Sequence, residues 1–349
     1  MSIQEYWQTS ELDAIIVTNL LNIRYLTGFS GSNALMLATR ERLMLITDFR
    51  YQEQVKQELT VDADVIISQS NIEQIVADTL QDSKTIALEG NHLNANQYEK
   101  YRAMFSDKEL ELVDIDSLRL IKSAREIECT RQAADIANAA FAKLLSEIKI
   151  GMSEQQVAAL LDYYTRSMGA EKMAFDTIVA SGVHSAMPHV KPTDKPLAMG
   201  DFVTIDFGAV YAGYHSDMTR TFVMGTASTN QRTVYATVLQ AQLTALSLVK
   251  SGTACSDVDK AARDIITAAG YGEFFGHATG HGTGLQIHEQ PRLSALSTEV
   301  LSAGMLVTVE PGIYIPSFGG VRIEDLVAVT PMGQDVLTAK IDKQLLEIH

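Results

Sequence analysis

Four acidic residues sit inside runs that otherwise read as interior strands of a sheet. Asp206 lies in "VTIDF" and Asp217 in "YHSDMTRTFVM"; Glu310 lies in "VTVEP" and Glu324 in "VRIEDLVAVT". A buried carboxylate without a partner is costly, and two together are worse, because each disfavours the charged form of the other. Either these strands are exposed or something positive sits between the acids. Facing residues of an antiparallel hairpin keep a constant index sum. A turn centred near Tyr211 and Ala212 would set Asp206 opposite Asp217, and the turn signal "PSFGG", centred near Ser317, would set Glu310 opposite Glu324. An isolated Asp or Glu on a strand usually faces solvent. Four in one repeated arrangement, with apolar flanks, point instead to a shared ion or a pair of ions.

A third stretch, "GHATGHGTGLQIHEQP", holds His277, His281 and His288, three of the chain's eight histidines. His277 and His281 have the spacing of a helical zinc pair, but Gly280, Gly282 and Gly284 oppose a helix and there is no H-E-x-x-H. The stretch reads as a Gly-rich loop whose backbone can approach a ligand or metal. A lone histidine is usually structural; three here suggest a site. Four carboxylates and a histidine suit manganese, cobalt or zinc in an oxygen-rich setting better than a thiolate zinc site. Four negative charges call for two divalent ions, which together acidify a water and polarise a carbonyl. The residues alone therefore suggest metal-assisted hydrolysis of a polar bond.

A chain of 349 residues exceeds what one core usually serves, so two domains are expected. Up to about residue 120, short apolar runs alternate with helical patterns. "DAIIVT", "NALMLAT", "RLMLIT", "VDADVIIS", "TIALEG" and "ELVDI" read as strands; "RYQEQVKQEL", "NIEQIVADTL" and "NANQYEKYRAMF" read as helices. This is an α/β domain with a mixed sheet, residues 1–120. The second domain, residues 121–349, reads as α+β. Ser123 and Glu126 form a capping box for a long helix that Gly151 can end. Ser153 and Gln156 open a second helix that Gly169 can close, and further helices are expected at 229–250 and 257–269. The strands fall between and after them, and "HVKPTDKPLAMGD" is a Pro-rich loop.

With 28 Lys and Arg against 43 Asp and Glu, the net charge of −15 argues against nucleic acid or an anionic membrane as partner. Cys129 and Cys255 read as unlinked thiols of a reducing compartment. The N-terminus shows no basic segment followed by an apolar one, so no secretory leader is expected, and no apolar run is long enough to span a bilayer. The cytoplasm is the expected location.

The motifs "TIDFGAVYAGYHSDMTRTF", "GHGTGLQIHEQP", "TVEPGIYI" and "VRIEDLVAV" resemble the pita-bread metallopeptidases: methionine aminopeptidase, prolidase, aminopeptidase P and creatinase. The resemblance implies a creatinase-like N-terminal domain and a pita-bread catalytic domain. It fills the family's five ligand positions in order with Asp206, Asp217, His281, Glu310 and Glu324. By the same resemblance Asp217 and Glu324 bridge two ions, Asp206 holds one, and His281 and Glu310 hold the other. "SGVHSAMPHVKP" resembles the Pro-specific members and places His189 near the scissile carbonyl. "LTGFSGSNALML" and "LITDFRY" resemble the N-terminal domain of that branch, which methionine aminopeptidases normally lack; creatinase lacks the full ligand set.

What the resemblance implies is a cytoplasmic, homodimeric peptidase of the Xaa-Pro bond, with manganese ahead of cobalt or zinc. Glu310 would also move the proton, His189, His277 and His288 would steady the tetrahedral intermediate, and Arg322 would support the acids or bind a substrate carboxylate. Aminopeptidase P is the leading form, with the dipeptide-restricted prolidase as alternative. A non-catalytic pita-bread binding module is the rival from another class, disfavoured because all five ligand positions are filled.

Overall fold

The computed structural model describes residues 11–68 and 70–349. The reading of the N-terminus as free of a secretory leader rests largely on residues 1–10 and lies outside the described residues. The chain divides into two compact units, Met1–Arg119 and Leu120–His349.

The first unit is a six-stranded mixed sheet. Its strands are β1 (Ala14–Val17), β2 (Ala34–Thr39), β3 (Leu43–Thr47), β4 (Asp64–Ile67), β5 (Thr85–Glu89) and β6 (Glu109–Val113), in the order β4-β3-β2-β1-β5-β6. β1–β2 and β2–β3 are antiparallel, and the remaining pairs are parallel. Apolar side chains alternate between the two faces. Ile15, Val17, Met36, Leu45 and Ala87 enter one core, while Ala14, Ile16, Leu37, Ile46 and Ile86 enter another. Both faces are covered, so the central strand β1 is apolar at every position.

Helices α1 (Leu20–Thr27), α2 (Gln52–Glu58), α3 (Ile72–Thr79) and α4 (Ala95–Met104) complete the unit. The sequence reading lacks α1, which is too short to show a helical period and is started by Asn19 accepting from Leu21 N. The last strand begins two residues before "ELVDI" and ends at Val113. Asp114 ends it by accepting from Ser117 N at 3.3 Å, which opens the next turn.

The second unit contains α5 (Ala124–Leu145), α6 (Glu154–Ser167), α7 (Thr229–Leu248) and α8 (Cys255–Ala268). Its strands run β7 (Lys172–Met173), β8 (Ile178–Ser181), β9 (Phe202–Phe207), β10 (Ala209–Tyr211), β11 (Tyr214–His215), β12 (Met218–Met224), β13 (Gly280–Gly282) and β14 (Glu289–Leu293). They continue as β15 (Leu306–Val309), β16 (Gly312–Ile315), β17 (Gly319–Arg322), β18 (Asp325–Val329), β19 (Gln334–Val336) and β20 (Glu347–Ile348). The capping boxes at Ser123/Glu126 and Ser153/Gln156 are both formed. The long helix nevertheless ends at Leu145, before Gly151, where the chain turns off to bury Ile148 beside Leu144.

The sheet β20-β12-β9-β8 packs on α5 and α6 through Phe141, Val157, Leu161, Val203, Ile205 and Phe222. The sheet β14-β13-β15-β18-β19 packs on α7 and α8 through Val234, Val238, Val258, Ile266, Val307 and Val327. Among the described residues no helix is long and apolar enough to cross a membrane. Cys255 is buried, Cys129 is half-buried, and no disulfide joins them.

Candidate metal centre

Each hairpin fixes one pair of acids, and the first differs from expectation. β10 pairs with β11 as Val210↔His215, and β9 pairs with β12 as Asp206↔Thr219. The turn is therefore centred on Ala212 and Gly213, one step later than the Tyr211–Ala212 centre. Both have positive φ, 49° and 84°, as a tight two-residue hairpin turn demands. Asp206 faces Thr219 instead of Asp217. Asp217, two residues before Thr219, still projects from the same face.

The second hairpin has the expected register. Gly312 pairs with Arg322 and Val309 with Asp325, so Glu310 and Glu324 stand opposite each other in the break between two ladders. Ser317 lies at the turn with φ 65°.

The histidine stretch is not a loop throughout. Gly280–Gly282 is a strand squeezed between β14 and β15. A Cβ on Gly280 would come within 2.0 Å of Thr308 O, and one on Gly282 within 2.1 Å of Gln290 O. The glycines admit neighbouring strands, which brings His281 to the acids.

There the side chains converge. His281 Nε2 lies 3.5 Å from Asp217 Oδ2 and 3.5 Å from Glu310 Oε1. Donor atoms of Asp217, His281 and Glu324 all lie within 4.8 Å of one another. His281 Nδ1 donates to Gly282 O at 2.9 Å, which fixes the tautomer and leaves the Nε2 lone pair facing the acids. Thr308 Oγ1 donates to Glu310 Oε1 at 3.1 Å, and Thr219 Oγ1 donates to Glu324 Oε2 at 2.7 Å. Arg322 Nη2 donates to Asp206 Oδ2 at 2.7 Å. Asp206 Oδ1 is buried without a partner.

Burial, and then the neighbouring acids Asp206 and Glu310, push Asp217 well above the usual carboxylate range. Burial and Asp217 do the same to Glu324, and burial raises Glu310. An orphaned buried oxygen, crowded acids and an outward imidazole lone pair are the donor set of a divalent cation, so these residues fit a metal.

The other expected residues are distributed around the cluster. The His288 ring packs against His281 with centroids 4.4 Å apart. His189 is exposed on the Pro-rich loop, near enough for its charge to bear on His277 and His288. His277 is spent inside the protein: Nδ1 donates to Ala278 O at 2.8 Å, so Nε2 accepts from the Tyr314 hydroxyl at 2.8 Å. Burial lowers its pKa to about 4, consistent with the neutral ring. Arg322 is also spent, holding Asp206, Thr219 and Tyr314, and is 3% exposed. Its guanidinium is turned to these partners inside the protein.

Sequence reasoning missed four residues of the site. Thr219 and Thr308 each lie two positions from an acid, so strand alternation would have put them on its face. Tyr314 reaches Arg322 across Gly312, where a Cβ would come within 2.5 Å of the hydroxyl. Arg292 is exposed, pairs across from His281 and therefore projects from the same face.

The model of metallopeptidase family M24 matches residues 128–331, and that of the creatinase/prolidase N-terminal domain matches residues 2–127. The chain belongs to metallopeptidase family M24. This M24 chain is 38% identical to the Xaa-Pro dipeptidase of Pyrococcus furiosus over 346 residues, covering 98% of this chain and 97% of that one. Among solved structures it resembles the Xaa-Pro dipeptidase from Bacillus anthracis, with TM-score 0.94, 41% identity and 99% and 98% of the two chains covered. It also resembles the X-Pro aminopeptidase from Thermotoga maritima, with TM-score 0.92, 37% identity and 99% and 100% covered. As a member of this family the M24 chain is a metallopeptidase with a divalent metal cofactor, built from a creatinase-like N-terminal domain and a pita-bread domain.

Proposed function

We propose that the chain is an Xaa-Pro dipeptidase. The observation that carries the hydrolytic reading is the convergence of Asp217, His281, Glu310 and Glu324, with Asp206 near enough for its charge to bear on Asp217 and with one oxygen unpaired. Two details favour the dipeptidase over the aminopeptidase P form that the N-terminal motifs suggested. The relatives from Pyrococcus furiosus and Bacillus anthracis are named dipeptidases. Arg292, exposed on the His281 face and without an ion pair among the described residues, suits the C-terminal carboxylate of a dipeptide. The Thermotoga maritima relative supports the aminopeptidase as second reading.

In this reading Asp217 and Glu324 would hold two divalent ions between them, with Asp206 on one side and His281 and Glu310 on the other. Manganese suits these hard donors best. When bound, the ions supply Lewis acidity for hydrolysis at neutral pH. Glu310 takes a proton from the attacking water and passes it to the leaving proline nitrogen. His288 and His189 stand on the open side and donate to the developing oxyanion. His277 acts at one remove, fixing the Tyr314 hydroxyl that accepts from Arg322 at 2.9 Å. The reading carries a cytoplasmic homodimer with it, on the family resemblance.

The test is a comparison of Ala-Pro, Ala-Pro-Ala and Ala-Ala with manganese-loaded enzyme. Cleavage of Ala-Pro only supports the dipeptidase. Cleavage of Ala-Pro-Ala as well selects the aminopeptidase, and cleavage of neither proline substrate contradicts both.

A further inference from the structure

Behind the acid cluster lies a second charged group that hydrolysis does not use. Arg220 follows Thr219 on β12 and Asp325 follows Glu324 at the start of β18, so alternation turns both to the opposite face. Asp325 is fully buried, and every acceptor it has is engaged. Oδ1 accepts from Arg220 Nη2 at 2.9 Å and Thr338 Oγ1 at 2.9 Å; Oδ2 accepts from Lys343 Nζ at 2.6 Å and Gln242 Nε2 at 2.9 Å.

Arg220 ties backbone to backbone. Nη1 donates to the carbonyls of Thr219 and Glu324, and Nη2 to those of Thr338 and Ile341. It thereby joins β12 to the chain at Glu324, although the two belong to different sheets. Lys343 is anchored to α7 twice: Nζ donates to Gln242 Oε1 at 3.1 Å, and its carbonyl accepts from the Tyr235 hydroxyl at 2.9 Å. Two cations against one carboxylate leave a surplus positive charge directly behind the site acids.

We propose that Asp325, Arg220 and Lys343 are positioning residues for the metal centre, and that the C-terminal stretch from Thr338 to Lys343 belongs to it. The inference rests on the reading of the acid cluster as a metal site. Asp217 and Glu324 come from different hairpins, and their separation decides whether they hold ions together. The backbone of Glu324 meets that of Thr219 through one hydrogen bond, Glu324 N to Thr219 O at 3.1 Å. Arg220 reinforces that junction, Asp325 orients Arg220, and Lys343 holds Asp325 from the C-terminal side. A ligand set needs placement to within about 0.5 Å, which a buried network this densely bonded, with Arg220 Nε alone of its polar atoms unpaired, can enforce.

The test uses the full chain stripped of metal and titrated with manganese by calorimetry. Lys343→Met keeps the length of the side chain and removes its charge. Supporting partners of ligands typically contribute about 10–100-fold in metal affinity. We expect manganese affinity to fall about tenfold in K343M, to return in K343R, and to be unchanged in K260M, which removes only the surface pair Lys260–Asp264. A lowered thermal midpoint in K343M with wild-type manganese affinity overturns the inference and leaves the network merely stabilising. A wild-type chain that binds no manganese overturns the site reading itself. Should K343M not fold, Gln242→Leu removes the other donor to Asp325 Oδ2, and the same two outcomes decide.

Discussion

Arg322 holds Asp206 by one oxygen and leaves the other bare: Nη2 donates to Oδ2 at 2.7 Å, while Oδ1 is buried without a partner. The guanidinium thus orients the carboxylate and reserves Oδ1. Arg322→Met would leave Asp206 uncompensated. Removing one partner of a buried ion pair costs about 3–5 kcal/mol of stability. The variant should unfold at lower denaturant and bind manganese more weakly than Asp135→Ala, which only removes a surface pair. Urea unfolding of metal-free and manganese-loaded protein checks both effects.

His277 should make the fold acid-sensitive. The folded protein keeps it neutral down to about pH 4, whereas the unfolded chain takes up the proton near pH 6.5. Between these values the unfolded state binds more protons, so stability falls as pH falls. His277→Asn should lose less stability than wild type from pH 6.5 to 4, as read from thermal midpoints across that window. Equal losses would show that His277 is protonated in the folded protein.

Arg292 is the residue on which the dipeptide preference is placed. On the proposed reading Arg292→Ala would remove a charge-assisted contact to the substrate carboxylate, a contact worth about 1.5–3 kcal/mol. The KM for Ala-Pro should rise about tenfold or more with kcat little changed. Steady-state kinetics of the variant check this, and an unchanged KM would place carboxylate recognition elsewhere.

Much of the site was legible because strands obey a strict period. The second hairpin could be registered from "PSFGG" alone, because its turn is symmetric about Ser317. The first was misplaced by one step because "YAGY" offers two centres, and only the positive φ of both Ala212 and Gly213 selects the later one. The glycines around His281 were read as a loop because sequence cannot distinguish a backbone that nears a metal from one that nears another strand. The hydrogen bond that engages His277 was hidden for a similar reason. Its partner Tyr314 lies in another motif, and their contact exists only once β16 is folded beside it. The network behind the site was illegible, since it depends on Lys343 reaching Asp325 from the end of the chain.

The most direct test counts ions. Chelator-stripped wild-type protein and Asp217→Ala are titrated with manganese, and bound metal per chain is measured alongside Ala-Pro hydrolysis. The account predicts two ions per wild-type chain, activity that returns with them, and loss of both binding and activity in the variant. A wild-type chain that hydrolyses Ala-Pro with verified absence of metal, or an Asp217→Ala chain with full activity and two bound ions, would contradict it.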